Sequence, residues 1–396
     1  MKIGMILDEV FPPDPRVENE AITLINSGHD VYLFCLKYTK DDSSQIINKI
    51  KVKRYLSNKL EYKLSALAHT FPFYNFLMKK NVDHFIHENN IEAIHIHDIR
   101  IAGAVFNSNK KLKLPVILDL HENRPEIMKF YPHLAKFPGK YLISPKKWKD
   151  KEKEFVLKAN KIIVVTKESK EEILQRTSIN KDKIIELPNT VRKDFFDKNI
   201  VFPKIMNQYK NSFVLLYIGD TGIRRGLKTA IKSVNKISKE IENVKLVIVG
   251  KNSTDTILKE MVKDLKIENY VDFLGWKEPK FFGSYILSSS ICISPLHRNL
   301  HHDTTYANKI FQYMSFGKPL LVSDATAQRK IIEKANSGLV HKERDIDDFT
   351  GKVLDLYKNE ALRNKLGENG KHFAREEFCW EQTSKKLVYL YENLLD

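Results

Sequence analysis

Two parallel α/β domains of the Rossmann type are the expectation from this sequence, and three observations carry it. Short apolar runs of strand length alternate with segments of helical period, and the alternation starts twice, at Lys2 to Leu7 and again at Phe213 to Ile218. Between the two halves, at about 190 to 210, the pattern lapses into Asp, Lys and Asn. A length of 396 residues with 42% hydrophobic content is enough for two full cores.

Composition narrows the class. The formal net charge of +16 suits nucleic acid, anionic lipid or phosphorylated substrates. No zinc-finger spacing, RNP-type aromatic motif or Lys/Arg-only tail is present, so nucleic acid is the weakest of the three, and a Lys-rich composition, visible in the Lys–Asn–Ile clusters, is the bland alternative to all of them. Cys35, Cys292 and Cys379 lie far apart in apolar or helical patterns, as reduced core thiols do. The opening apolar run is too short for a signal peptide, and no other run is long enough to cross a bilayer. The expectation is a cytoplasmic protein, soluble or peripheral at the inner face of the membrane.

Taken in order, Lys2 to Leu7 reads as a buried strand, followed by an acidic, proline-rich turn and a helix with Val17, Ala21, Leu24 and Ile25 on one face. Ser27-Gly28-His29-Asp30 ends that helix and Val31 to Leu36 returns as a strand, giving a βαβ unit. Arg16 falls at the helix start. The segment from Tyr55 to Lys80 mixes Leu60, Tyr62, Leu64, Phe71, Phe73, Tyr74 and Phe76 with lysines, and a second such stretch runs from Lys129 to Lys149. An interfacial surface reads this way, and so does the more common core helix with solvated lysines. Ile94 to Asp98 and Val116 to Glu122 are strands ending in polar residues, where open α/β sheets line their ligand crevice. His97, Asp98 and His121 therefore form a candidate site. Metal ligation is the rival reading for His95, His97, Asp98, His121 and Glu122, and for His297, His301, His302 and Asp303, but no recognised metal spacing occurs. Ile162 to Thr166 is a strand, with Lys167 to Arg176 a helix behind a Thr cap, and Ile184 to Leu187 a further strand.

In the second half, Phe213 to Ile218, Val244 to Val249, Asn269 to Trp276, Cys292 to Leu296 and Leu320 to Asp324 read as strands, with helices at Arg224 to Ile237 and Phe281 to Ser289. The loop after the first of these, Gly219-Asp220-Thr221-Gly222-Ile223-Arg224-Arg225-Gly226, is not G-x-G-x-x-G, so a dinucleotide cofactor is poorly supported. Thr304 to Pro319 enters a helix at a polar turn, carries Ile310, Phe311, Met314 and Phe316 as an apolar stripe, and leaves at Gly317. Its first turn should face an anion.

These motifs, in this order, resemble the retaining glycosyltransferases of family 4. Asn308-Lys309-Ile310-Phe311-Gln312-Tyr313-Met314 is similar to the donor-binding helix of that family, whose two glutamates fall here at Thr304 and Gln312. The stretch Tyr217 to Gly226 resembles the family's Gly-x-x-x-x-Lys-Gly loop, with Arg225 at the lysine position, and Pro188-Asn189-Thr190-Val191 resembles its Pro-Asn-Gly-Val turn. His-x-His-Asp and Asp-x-His-Glu, followed by Pro125, match its first domain.

The resemblance implies a GT-B fold, two facing Rossmann-like domains with a deep inter-domain cleft. An N-terminal acceptor domain would run from 1 to 195, a nucleotide-sugar domain from 196 to 379, and a C-terminal helix, about 380 to 396, would pack back on the first domain. It implies a metal-independent hexosyltransferase with no cofactor beyond its nucleotide-diphosphate sugar, a glycan or lipid-linked acceptor, possible contact with an anionic membrane and no nucleic acid. His121, Arg225 and Lys309 would be catalytic. Arg16, Gly222, Arg224, Arg225, Thr304, Thr305, Tyr306, Ala307, Asn308, Lys309 and Gln312 would bind the donor, with His97, Asp98, Glu122 and Arg124 on the acceptor side. Two rivals share the pattern, a sugar-nucleotide epimerase of the same fold and a non-catalytic nucleotide- or glycan-binding relative.

Overall fold

A computed structural model describes the chain except residues 41, 132, 133, 135, 138, 395 and 396. The expected final helix thus loses Leu395 and Asp396, and the second basic aromatic stretch loses four positions, from the described residues. The chain divides into two units, Met1–Pro188 with Ser384–Asp396, and Asn189–Thr383.

The first unit holds eight strands: β1 (Lys2–Val10), β2 (Asp30–Lys37), β3 (Ser44–Ile47), β4 (Ile50–Leu56), β5 (Ala93–His97), β6 (Val116–Leu120), β7 (Lys161–Val164) and β8 (Ile184–Glu186). Their order is β3-β4-β2-β1-β5-β6-β7-β8, and every neighbouring pair is parallel except β3 with β4. Continuous Val/Ile/Leu runs buried on both faces are what a helix-covered parallel sheet requires. The β3–β4 hairpin is absent from the sequence reading. It turns at Asn48 and Lys49, both at positive φ (48° and 69°), which is the two-residue geometry that matches strand twist. The chain then reaches the other side of β1 at β5, so the sheet order reverses beside β1. Ligands in open α/β sheets gather at the carboxyl ends of strands at such a reversal.

The second unit repeats the plan with six parallel strands: β9 (Phe213–Ile218), β10 (Val244–Val249), β11 (Val271–Gly275), β12 (Ile291–Ser294), β13 (Leu320–Ser323) and β14 (Gly338–His341). The order β11-β10-β9-β12-β13-β14 reverses between β9 and β12. The helix Leu227–Ile237 begins only after a 3-10 turn, Ile223–Arg225, because Gly226 stands at φ 79° between them.

The unit boundaries fall a few residues from the expected 195/196 and 379/380. Val191 and Phe195 pack on the second unit's core, and the Trp380 N–H donates to the Val191 carbonyl (2.8 Å), so both crossing strands of chain belong to that unit up to Thr383. The helix Lys385–Glu392 belongs to the first unit, burying Leu387, Leu390 and Tyr391 and packing against the helix Pro15–Asn26. No helix among the described residues is long and apolar enough to cross a membrane. Part of the Tyr55 to Lys80 segment is core, with Tyr74 and Met78 buried, but Leu60, Tyr62, Phe73 and Phe76 are exposed.

A Cβ on Gly226 would lie 1.6 Å from the Pro295 carbonyl oxygen, in addition to the left-handed strain. Gly226→Ala is expected to cost about 2–4 kcal/mol in urea unfolding, whereas Gly351→Ala, with open space around it, should sit near wild type.

Candidate active site

In the first unit polar residues of the helix Pro15–Asn26 and of the ends of β5 and β6 form one buried network. Asp119, a lone acid in the apolar run of β6, takes both arms of Arg16: Nε to Oδ2 at 2.8 Å and Nη2 to Oδ1 at 2.7 Å. The third donor, Nη1, reaches the Leu187 carbonyl (3.0 Å), and Nη2 also lies 3.0 Å from Glu20 Oε1. Arg16 had been expected on the donor phosphates. Its guanidinium is instead spent inside this unit, because a buried fork this close to a buried carboxylate closes a bidentate pair.

His121 Nε2 sits 2.9 Å from Asp119 Oδ2 and 3.0 Å from His97 Nδ1. Burial disfavours the imidazolium, but the Asp119 charge and hydrogen bond outweigh it and lift His121 to about 9. Burial pushes His97 down, and its Nδ1 lies 3.0 Å from His121 Nε2 and 3.5 Å from Asp119 Oδ2. Nδ1 of His121 is left as the outward donor. His97, expected on the acceptor side, is fully buried and orients His121 instead. Asp98, at φ 65°, Glu122 and Arg124 stand at the partly open rim, with Arg124 Nη1 3.2 Å from Glu122 Oε1 and 3.9 Å from Asp98 Oδ2.

Behind this network, His95 Nδ1 meets the Tyr391 hydroxyl (2.9 Å) and Nε2 faces Glu20 Oε2 (3.3 Å). Glu20, His95, His97 and Asp119 bring one ligand atom each within 4.8 Å of one another, the geometry a metal would need. Arg16 already supplies a cation to both carboxylates. Sequence reasoning passed over Asp119 and Glu20 as site residues; a single acid inside a strand of Val, Ile and Leu was the available signal.

In the second unit the reversal beside β9 carries the cations. Arg225 Nε bonds Asp220 Oδ2 (3.1 Å), while Asp220 Oδ1 accepts from Asn252 Nδ2 (2.6 Å) and from the Gly222 N–H (3.3 Å). Arg224 Nη1 lies 2.8 Å from His302 Nε2. His302 Nδ1 must donate to the His297 carbonyl (2.7 Å), and burial pushes its pKa down to about 3, so both ring nitrogens are used without a metal.

Lys309 differs from the rest. Its ammonium lies 3.3 Å from the Tyr217 ring centroid, is buried, and has no hydrogen-bond partner among the described residues. Burial and the Arg225 charge hold its pKa well below the usual lysine range. The regular helix begins at Lys309 (Lys309–Ser315) rather than at the preceding polar turn, because a short helix, Leu300–Asp303, comes first. Thr304 and Thr305 close that turn: their hydroxyls donate to the Leu300 and His301 carbonyls, each at 2.7 Å. Both had been expected on the donor, and both hydroxyls face inward. Tyr306 is partly buried, Ala307 is buried, Asn308 is exposed and Gln312 is half-buried.

Comparison with known proteins accords with this division. A family model described as Glycosyltransferase Family 4 matches residues 16–195, and one described as Glycosyl transferases group 1 matches residues 200–373. An uncharacterized glycosyltransferase of Methanocaldococcus jannaschii is 25% identical over 315 residues, 78% of each chain. The capsular polysaccharide biosynthesis glycosyltransferase CapM of Staphylococcus aureus is 22% identical over 60% of this chain and 62% of its own. Among solved structures, HepE of Anabaena in complex with UDP superposes with a TM-score of 0.73 at 12% identity, covering 99% of this chain and all of its own.

His121 folds with a pKa of about 9 against an ordinary 6.5, so the native state holds the extra proton across that window and stability must fall as pH rises through it. Urea unfolding between pH 7 and 9 is expected to show a larger loss for wild type than for His121→Asn; equal slopes would mean that His121 is neutral.

Proposed function

The chain belongs to the group 1 glycosyltransferases, and we propose that it moves a sugar from a nucleotide-diphosphate donor to a glycan or lipid-linked acceptor, with retention at the anomeric carbon, in surface polysaccharide assembly. The observation that carries the proposal is the uncompensated, buried ammonium of Lys309 beside Arg225. A buried cation without a counter-charge is costly, and a diphosphate is the dianionic group that would complete it.

Breaking the glycosyl–phosphate bond builds negative charge on the leaving diphosphate. Arg225 and Lys309 are preorganised to stabilise it, so the step needs no metal. Thr304 and Thr305 offer no nucleophile, their hydroxyls being bonded to backbone carbonyls, which fits a direct, front-face transfer. Gln312 takes the ribose hydroxyls through its amide, as acceptor and donor. In the Met1–Pro188 unit, the outward Nδ1–H of His121 serves a sugar hydroxyl, and Asp98, Glu122 and Arg124 face the acceptor. The Anabaena structure, with UDP bound, favours a uridine donor, and the staphylococcal relative a capsule-type product. Exposed Leu60, Tyr62 and Phe73 among lysines suit a peripheral place at the cytoplasmic membrane face.

A thermal-shift and turnover panel of UDP-, GDP-, ADP- and CDP-sugars tests the reading. One nucleotide class should stabilise wild type and leave Arg225→Ala unaffected. Binding without turnover would favour the non-catalytic relative, for which the two replaced glutamates speak. Lys309→Met should raise Tm without ligand, since it removes a buried unpaired charge, and abolish the nucleotide-induced shift.

Because burial lowers the Lys309 pKa and a bound diphosphate would favour its charged form, binding should raise that pKa and draw a proton from solution. Calorimetry in buffers of differing ionisation enthalpy is expected to read proton uptake, and affinity should weaken as pH rises. Lys309→Met should lose that uptake.

A further inference from the structure

The tip of Lys309 rests on an aromatic ring within the Asn189–Thr383 unit, and the fold builds that contact from both sides. Nζ lies 3.3 Å from the centroid of Tyr217, near the end of β9. Every other cation–ring distance among the described residues is longer, the next being Arg375 on Phe196 at 4.4 Å. Lys309 and Tyr217 are both buried. The negative face of a ring holds an ammonium by charge and a neutral amine, more weakly, by an N–H contact to the π system.

The ring cannot turn aside, because its hydroxyl donates to the Asp220 carbonyl at 2.6 Å. The helix Lys309–Ser315 is tied to the same strand. The Gly219 N–H donates to the Val249 carbonyl on the β10 side, so the Ile218 N–H points toward β12, whose register with β9 stops at Leu216. Tyr313, one turn along the helix from Lys309, takes that donor on its hydroxyl at 2.8 Å. A Cβ on Gly219 would meet Lys309 Nζ at 3.6 Å and Cε at 3.8 Å and nothing else within 4 Å outside its chain neighbours, so the glycine leaves the space beside the lysine tip open.

Where it stands, Nζ is shut off from solvent, so an anion entering from outside cannot touch it there. Arg225 is different: its side chain is 22% exposed, and its charge lies near enough to depress the Lys309 pKa. A diphosphate therefore meets Arg225 first. Lysine carries its charge on a long flexible stem, and rotations about that stem bring Nζ into the space beside Gly219 without moving the helix. A core filler needs no charge, since an apolar side chain of similar size packs on the ring without the desolvation that Lys309 bears.

We propose that Tyr217 is a positioning residue of the donor site: in the empty protein its ring shelves the Lys309 ammonium, stripped of water, and a diphosphate held first by Arg225 draws that ammonium off the ring. The inference rests on the donor reading of Lys309 and adds to it the residue through which the lysine is made ready. Without the ring the lysine tip would reach solvent, and each binding event would have to dehydrate it again.

Full-length protein carrying isotope-labelled lysine is titrated with inorganic pyrophosphate, UDP and GDP, with NMR reading the lysine Cε–H signals and calorimetry reading binding on the same samples. The Lys309 signal is the one missing from Lys309→Met. Ring current should place it upfield of the other lysines in the empty protein, and binding should return it to their range. Tyr217→Phe should keep both the upfield signal and the wild-type affinity, which separates the ring from the hydroxyl. Tyr217→Leu should lose the signal and bind about tenfold more weakly, the loss of roughly one cation–ring contact. Should Tyr217→Leu fail to fold, as its Tm would show, the wild-type titration decides alone. Binding with the upfield signal unmoved, an ordinary lysine signal in the empty protein, or equal affinities for the Phe and Leu variants would overturn the shelving while leaving the donor reading intact. No heat from any of the three ligands would overturn the donor reading, and the role of Tyr217 with it.

Discussion

A charge taken out of water must find an opposite charge, and the two units meet that constraint in different ways. In the first, Arg16 is closed on Asp119 by two hydrogen bonds and on the Leu187 carbonyl by a third, with Glu20 beside it. The pair is closed within the unit, and the charge and hydrogen bond of Asp119 are what lift His121. In the second, Asp220 pairs with Arg225, while Lys309 has the Tyr217 ring and no hydrogen-bond partner among the described residues. The first arrangement stores a fixed proton donor. The second stores an unmet demand for an anion, which is the more direct signature of a ligand site.

Topology explains why these groups lie where they do. Each sheet reverses its order beside its first strand, β1 in one unit and β9 in the other. Loops that leave neighbouring strands on opposite sides at a reversal cannot pack over one another, and they leave room at the strand ends. Asp98, His121 and Glu122 follow β5 and β6. Asp220 and Arg225 follow β9, and the close approach of Gly226 to the Pro295 carbonyl brings the loop after β9 against the one after β12. Function at both places is a consequence of strand order acting on polar residues that the strands themselves could not bury unpaired.

The buried histidines illustrate how one residue type is put to several uses. His121 is charged because Asp119 is near, His302 is neutral because the His297 carbonyl and Arg224 take its two nitrogens, and His69, with Nε2 on the Ile99 carbonyl, is pushed down by burial. Ring environment, not residue identity, assigns donor or acceptor.

By itself the sequence determined the secondary elements and their class, because these rest on local periodicity. Phe213–Ile218, Val244–Val249 and the Thr166-capped helix Lys167–Arg176 stand where their patterns place them. It also marked Lys309, Arg225 and His121, through the resemblance of their motifs to those of a known family. The β3–β4 hairpin was illegible, since exposed edge strands carry little apolar alternation. What only the tertiary structure decided was direction and partnership. Arg16 turns inward because a residue 103 positions away, Asp119, is buried within its reach. Thr304 and Thr305 turn inward because a four-residue helix ahead of them presents open carbonyls. A side chain's spacing along the chain fixes which face it shares, but its hydrogen-bond partner is chosen by whatever the fold brings near, and that distance is not written in any local pattern.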